Sequence, residues 1–334
     1  MNELVLVTGG TGYVAGWCIT ALLQRGYDVR TTVRSLKKEQ TVRDAVGTVV
    51  DPGDRLSFAV ADLTSDEGWD EAVAGVDYVL HVASPLGGQE DLITPARDGA
   101  LRVLRAASKA QVKRVVMTSA ANAASPSSYK EEGITDETLW TDPEDPTLIP
   151  YRRSKTVAEK VAWAFVESEG KTSMLTTILP GAVFGPILST GNLGSVQIIA
   201  RMVGGKMPGT PRIGLEIVDV RDLADIHIRA MTSPEAAGQR FLATGEFIWM
   251  RDMAVELKNG LGADGAQVKT RQLPDFVVRL SAIFDKPLRS IVVSLGRRNQ
   301  HSTAKAERVL GWKARPAAET VVACGRSLLD WKVI

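Results

Sequence analysis

The chain has 334 residues, 44% hydrophobic and 24% charged, with a formal net charge of +1. That is ordinary for a globular protein with a large core, and no basic tract points to nucleic acid or an acidic membrane surface as partner. No apolar run approaches membrane-spanning length, and the only cysteines, Cys18 and Cys324, sit in apolar helical patterns that predict buried reduced thiols rather than a disulfide framework.

Leu4–Thr8 is a continuous apolar run closed by glycines, the pattern of a central parallel strand covered on both faces. An amphipathic helix over Tyr13–Arg25 follows and ends at Gly26. Between them Gly9, Gly10 and Gly12 leave no Cβ in the way of a phosphate, and the helix N-terminus offers unpaired N–H groups. A glycine turn can also serve only to pack strand on helix; its strand and helix flanks make dinucleotide binding the expected role.

A second strand is predicted at Asp28–Arg34. NAD enzymes usually carry a carboxylate about 20 residues after the turn, but this region reads Thr31-Thr32-Val33-Arg34-Ser35-Leu36-Lys37-Lys38, with no acid before Glu39. Arg34, supported by Lys37 or Lys38, could pair with a 2′-phosphate, so NADP is expected over NAD. Strands at Leu56–Val60, Asp77–Ala83 and Arg114–Ser119 alternate with helices at Asp66–Ala74 and Ala96–Ala110. This alternation predicts an α/β fold, a Rossmann-type doubly wound parallel sheet. Asp62 follows the third strand, placed to accept from an adenine amino group. His81 closes the fourth at the usual ligand crevice, as a wall residue rather than an acid or base. His81, His227 and His301 lack ligand spacing, and no metal is expected.

Ala123–Pro150, rich in Ser, Pro, Asp and Glu, reads as a long loop of functional type. A helix at Tyr151–Glu169, a strand at Met174–Leu179, a strand at Glu216–Val220 and a helix at Asp222–Met231 are expected next. Shorter elements lead to a terminal helix near Ala317–Trp331. The expected division is a Rossmann domain over 1–180 and a smaller, mixed C-terminal substrate-binding lobe over 181–334, with about 216–231 returning to the Rossmann domain. The chain enters a strand almost at once, without a signal segment, and a cytoplasmic location is expected.

Tyr151 has a lysine, Lys155, four residues later, on the same helix face. Carbonyl reduction needs a proton for the oxygen, and a phenol with a reference pKa near ~10 exchanges one at neutral pH when a cation favours its ionised form. Lys155 is expected to supply that charge and to bond the nicotinamide ribose, which makes Tyr151 the candidate proton donor.

These motifs together resemble an extended short-chain dehydrogenase/reductase of the dihydroflavonol reductase-like group, NADPH-dependent reductases of aldehydes and ketones. The matching residues are Thr8-Gly9-Gly10-Thr11-Gly12-Tyr13-Val14-Ala15, Thr32-Val33-Arg34, Ala61-Asp62-Leu63, His81-Val82-Ala83-Ser84-Pro85 and Val115-Val116-Met117-Thr118-Ser119. Tyr151-Arg152-Arg153-Ser154-Lys155, Leu179-Pro180-Gly181-Ala182-Val183-Phe184-Gly185-Pro186 and Val218-Asp219-Val220-Arg221-Asp222 complete the set. The resemblance implies cofactor contacts from Thr8, Gly9, Gly12, Tyr13, Val14, Arg34, Lys37, Lys38, Asp62, Leu63, Val82, Ala83, Ser84, Thr118, Tyr151, Lys155, Pro180, Gly181 and Val183. It implies a substrate pocket walled by Pro85, Leu86, Ala120, Asn122 and Tyr151, a small-molecule carbonyl substrate, and a monomer or homodimer.

Two departures stand out. Ala15 replaces a third glycine, a tolerated change where helix and strand pack closely. Relatives commonly end the fifth strand Thr-Ser-Ser, the last serine holding the substrate carbonyl; here it ends Thr118-Ser119-Ala120. In strict register that hydrogen bond is lost, with Ser119 the candidate to replace it after a small shift and Asn122 a further donor. Tyr151, Lys155 and Ser119 are therefore the expected catalytic set. An NAD-dependent nucleotide-sugar epimerase or dehydratase is the alternative enzyme, and a non-catalytic NADP-sensing regulator the alternative from another class. Mostly small or apolar pocket walls speak against a sugar nucleotide, and the Tyr151–Lys155 pair against the regulator.

Overall fold

The computed structural model describes residues 2–85, 92–129, 132–191, 193–284, 288–289 and 292–334. The first part runs β1 (Leu4–Val7), α1 (Tyr13–Gln24), β2 (Asp28–Val33), α2 (Glu39–Gly47), β3 (Leu56–Val60), α3 (Trp69–Val73), β4 (Tyr78–His81), α4 (Ile93–Lys109) and β5 (Arg114–Thr118). Then come β6 (Gly133–Thr135), α5 (Pro150–Ser168), β7 (Leu175–Pro180), β8 (Ala182–Phe184), α6 (Gln197–Val203), β9 (Gly214–Asp219) and α7 (Val220–Thr232). The remainder is β10 (Arg240–Ala243), β11 (Phe247–Trp249), α8 (Met250–Gly260), α9 (Asp275–Ser281), β12 (Asn299–His301), α10 (Ala304–Leu310) and α11 (Ala317–Asp330).

Seven strands form one sheet in the order β10-β7-β5-β4-β1-β2-β3, and every pairing in it is parallel. Strand β1 shows why its sequence is apolar throughout. Val5 and Val7 face a core shared with α1 and α7, while Leu6 faces the core under α3, α4 and α5. Strand order reverses between β1 and β4, so a crevice opens at their carboxyl ends, the usual ligand position in such sheets. The fold is the expected doubly wound Rossmann type with a smaller mixed sheet, β11-β9-β8, whose own core lies under α6, α8 and α11.

Three differences from the sequence reading have physical causes. Helix α3 begins at Trp69, later than expected, because Gly68 (φ +81°) presses against the Val60 carbonyl, where a Cβ would lie 2.0 Å away. The main sheet takes its seventh strand from Arg240–Ala243, all four residues buried, whereas β9 joins the smaller sheet; α7 is the part of 216–231 packed on the Rossmann core. The long loop is pinned rather than structureless: Asp136, Asp142 and Asp145 each accept from the backbone two residues on, as Asx-turns do. Its β6 pairs in parallel with β12.

Candidate active site

The glycine turn is set by both steric and hydrogen-bonding demands. Gly9 takes φ +76°, and a Cβ on it would stand 3.0 Å from that of Ala83. Its N–H donates to Thr32 Oγ1 at 2.8 Å, and Gly10 N–H donates to the Thr32 carbonyl at 2.9 Å. Gly12 then begins α1 without a side-chain cap, and the first turn has no acidic residue. The helix thus starts with amide groups free for an anion. Ala15 is buried in the helix–sheet contact, the place where alanine was expected to be tolerated. Val14 packs partly buried against the main core. The Tyr13 ring instead turns toward the lobe core, its hydroxyl buried without a partner. Burial first, then Cys324 and Asp219, push that phenol well above its usual range.

Arg34, Lys37 and Lys38 all stand exposed just beyond β2. Asp62 Oδ1 accepts from Thr64 N and Thr64 Oγ1, both at 2.8 Å. Those bonds, with Arg34 and Arg102 nearby, hold its carboxyl below the ordinary value against a smaller effect of burial. The Leu63 carbonyl accepts from Arg102 at 2.7 Å, and its side chain packs on Gly99.

Thr8 is the hub between β1 and β4. Its hydroxyl oxygen accepts from Val82 N at 3.0 Å and Ala83 N at 2.9 Å. Both lone pairs are then occupied, so its one proton goes to His81 Nδ1, 3.0 Å away, and His81 carries its own proton on Nε2. Burial, and secondarily the Lys155 charge, take the His81 pKa down to about 3. His81 is therefore a buried, neutral imidazole held by Thr8. Ser84 and Pro85 continue this edge half-buried, and Leu86 lies outside the described residues.

Ile149 caps α5, Pro150 opens it, and Tyr151 and Lys155 follow in its first turns. Lys155 is 8% exposed and donates to the Thr118 carbonyl at 3.4 Å, which places its amine at the carboxyl end of β5, beside His81. Burial lowers its pKa to about 8, with Glu159 acting in the opposite direction. Tyr151 is 37% exposed, yet burial of its hydroxyl raises its pKa. The lowering of the phenol by Lys155 expected from the sequence is therefore not what the protein alone displays. Desolvation dominates for both groups, and it favours the protonated phenol and the neutral amine.

The hydroxyls at the end of β5 are turned elsewhere. His227 Nδ1 donates to the Leu223 carbonyl at 2.7 Å, leaving Nε2 to accept from Thr118 Oγ1 at 2.7 Å. Ser119, 2% exposed, donates to Glu159 Oε2 at 2.7 Å. Ser119 was expected to shift to serve the carbonyl; in the protein alone its proton is held by the buried Glu159 carboxylate instead. Ala120 continues in extended conformation (φ −156°, ψ 148°), so its methyl points to the side opposite Ser119. Asn122 is exposed on the short helical turn 121–124, its carbonyl accepting from Thr141 Oγ1 and Arg152 Nε. Across the crevice Pro180 ends β7, and Gly181 lies so close to the Glu216 carbonyl that a Cβ would meet it at 2.4 Å. The Val183 carbonyl accepts from Ser195.

Sequence reasoning missed two buried guanidinium groups. Arg152, 1% exposed, bonds the carbonyls of Asn122, Ser125 and Ser127, fastening the turn after β5 to the start of α5. Arg240 bonds Glu159 Oε1 at 2.8 Å. The available signal was a Glu four residues after Lys155 on the same apolar helix face, which asks for a buried partner that local sequence cannot identify.

Cinnamoyl-CoA reductase 1 of Petunia hybrida is 36% identical over 262 residues, 77% of this chain and 76% of that one. Anthocyanidin reductase ((2S)-flavan-3-ol-forming) of Vitis vinifera is 33% identical over 258 residues, 71% of this chain and 75% of that one. The solved structure of yeast methylglyoxal/isovaleraldehyde reductase Gre2 complexed with NADPH superposes with a TM-score of 0.81 at 23% identity, covering 99% of both chains. The model of the NAD dependent epimerase/dehydratase family matches residues 5–243. With the glycine turn, the seven-stranded sheet and the Tyr151–Lys155 helix in place, the chain belongs to that family, within the extended short-chain dehydrogenases/reductases.

Proposed function

We propose that the protein is an NADPH-dependent reductase of aldehydes and ketones, reversible as an alcohol dehydrogenase, with Tyr151 as proton donor. The observation that carries this reading is the position of Lys155, buried at the carboxyl end of β5 next to the Thr8–His81 hub. Lys155 thus stands at the same sheet edge as the glycine turn, and Tyr151 lies one turn before it on α5, which supports a shared crevice. The residues present fit a dinucleotide: an uncapped helix start, a Gly9 position that a Cβ would crowd, and three exposed cations beyond β2. Backbone at Thr8, Gly9, Gly12, Tyr13 and Val14 would hold its pyrophosphate region, Arg34 with Lys37 and Lys38 a 2′-phosphate, and Asp62 and Leu63 the adenine. Val82, Ala83, Ser84, Thr118, Lys155, Pro180, Gly181 and Val183 would line the nicotinamide side. When bound, NADPH supplies the hydride. Tyr151 gives the carbonyl oxygen its proton, helped by the burial that keeps the phenol protonated, and Lys155 orients the ribose and carries positive charge to the site. The substrate would lie against Pro85, Ala120, Asn122 and Tyr151.

Relatives named as reductases support reduction over epimerisation. Two buried free thiols suit a cytoplasmic enzyme, and among the described residues no helix is long and apolar enough to cross a membrane. Either a monomer or a homodimer is compatible with this reading. The test is oxidation of NADPH and of NADH with aromatic aldehydes and β-keto esters, by wild type and by Arg34→Ala. NADPH is expected to be preferred, and the variant should raise KM for NADPH about tenfold or more with little change for NADH; equal changes would refute the cofactor assignment.

A pH dependence is also expected. Lys155 is charged below about 8 and neutral above, because burial lowers it. The ratio kcat/KM for NADPH, which reports the free enzyme, should be level below that pH and fall as pH rises through it. A profile still flat two units higher would show that the ammonium is not required.

A further inference from the structure

We infer that, among the described residues, the carbonyl oxygen receives one side-chain hydrogen bond from this centre, from Tyr151, and that the enzyme therefore selects electron-poor carbonyls. The favoured substrates are α-dicarbonyls, β-keto esters and aryl carbonyls with electron-withdrawing substituents, over unactivated or electron-rich ketones. The inference rests on the reductase reading above. It follows from the partners of the three hydroxyls at the ends of β1 and β5. Thr8 donates to His81, Thr118 to His227 and Ser119 to Glu159, at 3.0, 2.7 and 2.7 Å. The position that turns away from Glu159 is Ala120, which has no donor and is 4% exposed. One Lys155 N–H goes to the Thr118 carbonyl, and on the reductase reading the others serve the nicotinamide ribose.

Reduction moves the C=O π pair onto oxygen as carbon takes a hydride. With NADPH bound as the two-electron donor, oxygen would take the phenol proton and Tyr151 would recover one from solvent. Charge on that oxygen is greatest before proton transfer is complete, so donors aimed at it lower the barrier more than they aid binding. Loss of one such donor typically lowers kcat by about 10²–10³. A substrate that spreads the developing charge through its own substituents depends least on the missing donor. One that cannot do so depends on it most.

The experiment follows single-turnover reduction of para-substituted acetophenones, from 4-nitro to 4-methoxy, with NADPH and with its 4-deuterated form to confirm that hydride transfer is being read. Wild type is expected to favour the nitro over the methoxy substrate by about 10² or more. Ala120→Ser should accelerate the methoxy substrate at least about tenfold, with a much smaller gain for the nitro substrate, flattening the series. A wild-type ratio below about ten overturns the inference even where the serine variant does not fold. Parallel series in wild type and variant overturn it too. So does a comparable loss of kcat, across all substrates, in Asn122→Ala, since that would identify a second donor. Failure of the reductase reading is distinct: wild type would then reduce none of the series, or Tyr151→Phe would match wild type.

Discussion

Tyr151→Phe is expected to lower kcat for carbonyl reduction by about 10²–10⁴, the usual contribution of a positioned general acid, with a far smaller change in affinity for NADPH. The substitution removes one oxygen and keeps the ring, so the start of α5 should survive. Pro150 opens that helix, the Ser154 hydroxyl donates to the Tyr151 carbonyl at 2.8 Å, and Arg152 ties the same turn to Asn122, Ser125 and Ser127. None of these contacts uses the phenol. Burial keeps the phenol protonated in the free protein, so what the variant loses is a proton ready to transfer. Steady-state kinetics with NADPH and an aromatic aldehyde, alongside a thermal melt, separates the two effects. Wild-type kcat in a folded Tyr151→Phe protein would place the proton donor elsewhere.

The second large effect is on stability. Arg240→Met should lower the unfolding free energy by about 3–5 kcal/mol, as expected when one partner of a buried ion pair is removed. Glu159 is fully buried and accepts from Ser119 Oγ at 2.7 Å, Thr177 Oγ1 at 2.7 Å and Arg240 Nε at 2.8 Å. Arg240 also donates to the carbonyls of Glu137 and Leu139, at 2.6 and 3.1 Å, and lies 3.5 Å from the centre of the Trp140 ring. Without the guanidinium, the buried Glu159 carboxyl loses its charge partner, and the pinned loop before α5 keeps only the Leu242 N–H bond to Glu137 Oε1 among these ties to β10. Replacing Glu159 by Leu in the same chain should recover part of the loss, because a buried pair removed together leaves no lone charge. Urea unfolding of the two single variants and the double variant measures this coupling; strictly additive losses would show that the two side chains do not act as a pair.

The Arg240–Glu159–Ser119 cluster also shows where sequence reading stopped. The parallel sheet, the glycine turn, the cationic end of β2 and the Tyr151–Lys155 spacing were legible because each is local. Strands declare themselves by apolar runs, turns by glycine, and two side chains one helical turn apart share a face whatever surrounds them. The late start of α3 was not legible, since it depends on Gly68 meeting the Val60 carbonyl across a turn. Nor was the seventh strand, a four-residue run too short to stand out from other buried segments.

The amino-acid order by itself determined the dinucleotide-type fold, the candidate proton donor and the absence of a hydroxyl at position 120. Only the tertiary structure decided what Ser119 does, because a hydroxyl's partner is chosen by whatever packs against it. Here that partner is a carboxylate on α5, 40 residues on, held in place by an arginine from β10 a further 81 residues along. The same holds for ionisation. Lys155 and Tyr151 looked from their spacing like a cation tuning a phenol, but both take their proton affinities mainly from burial, and burial belongs to the folded chain.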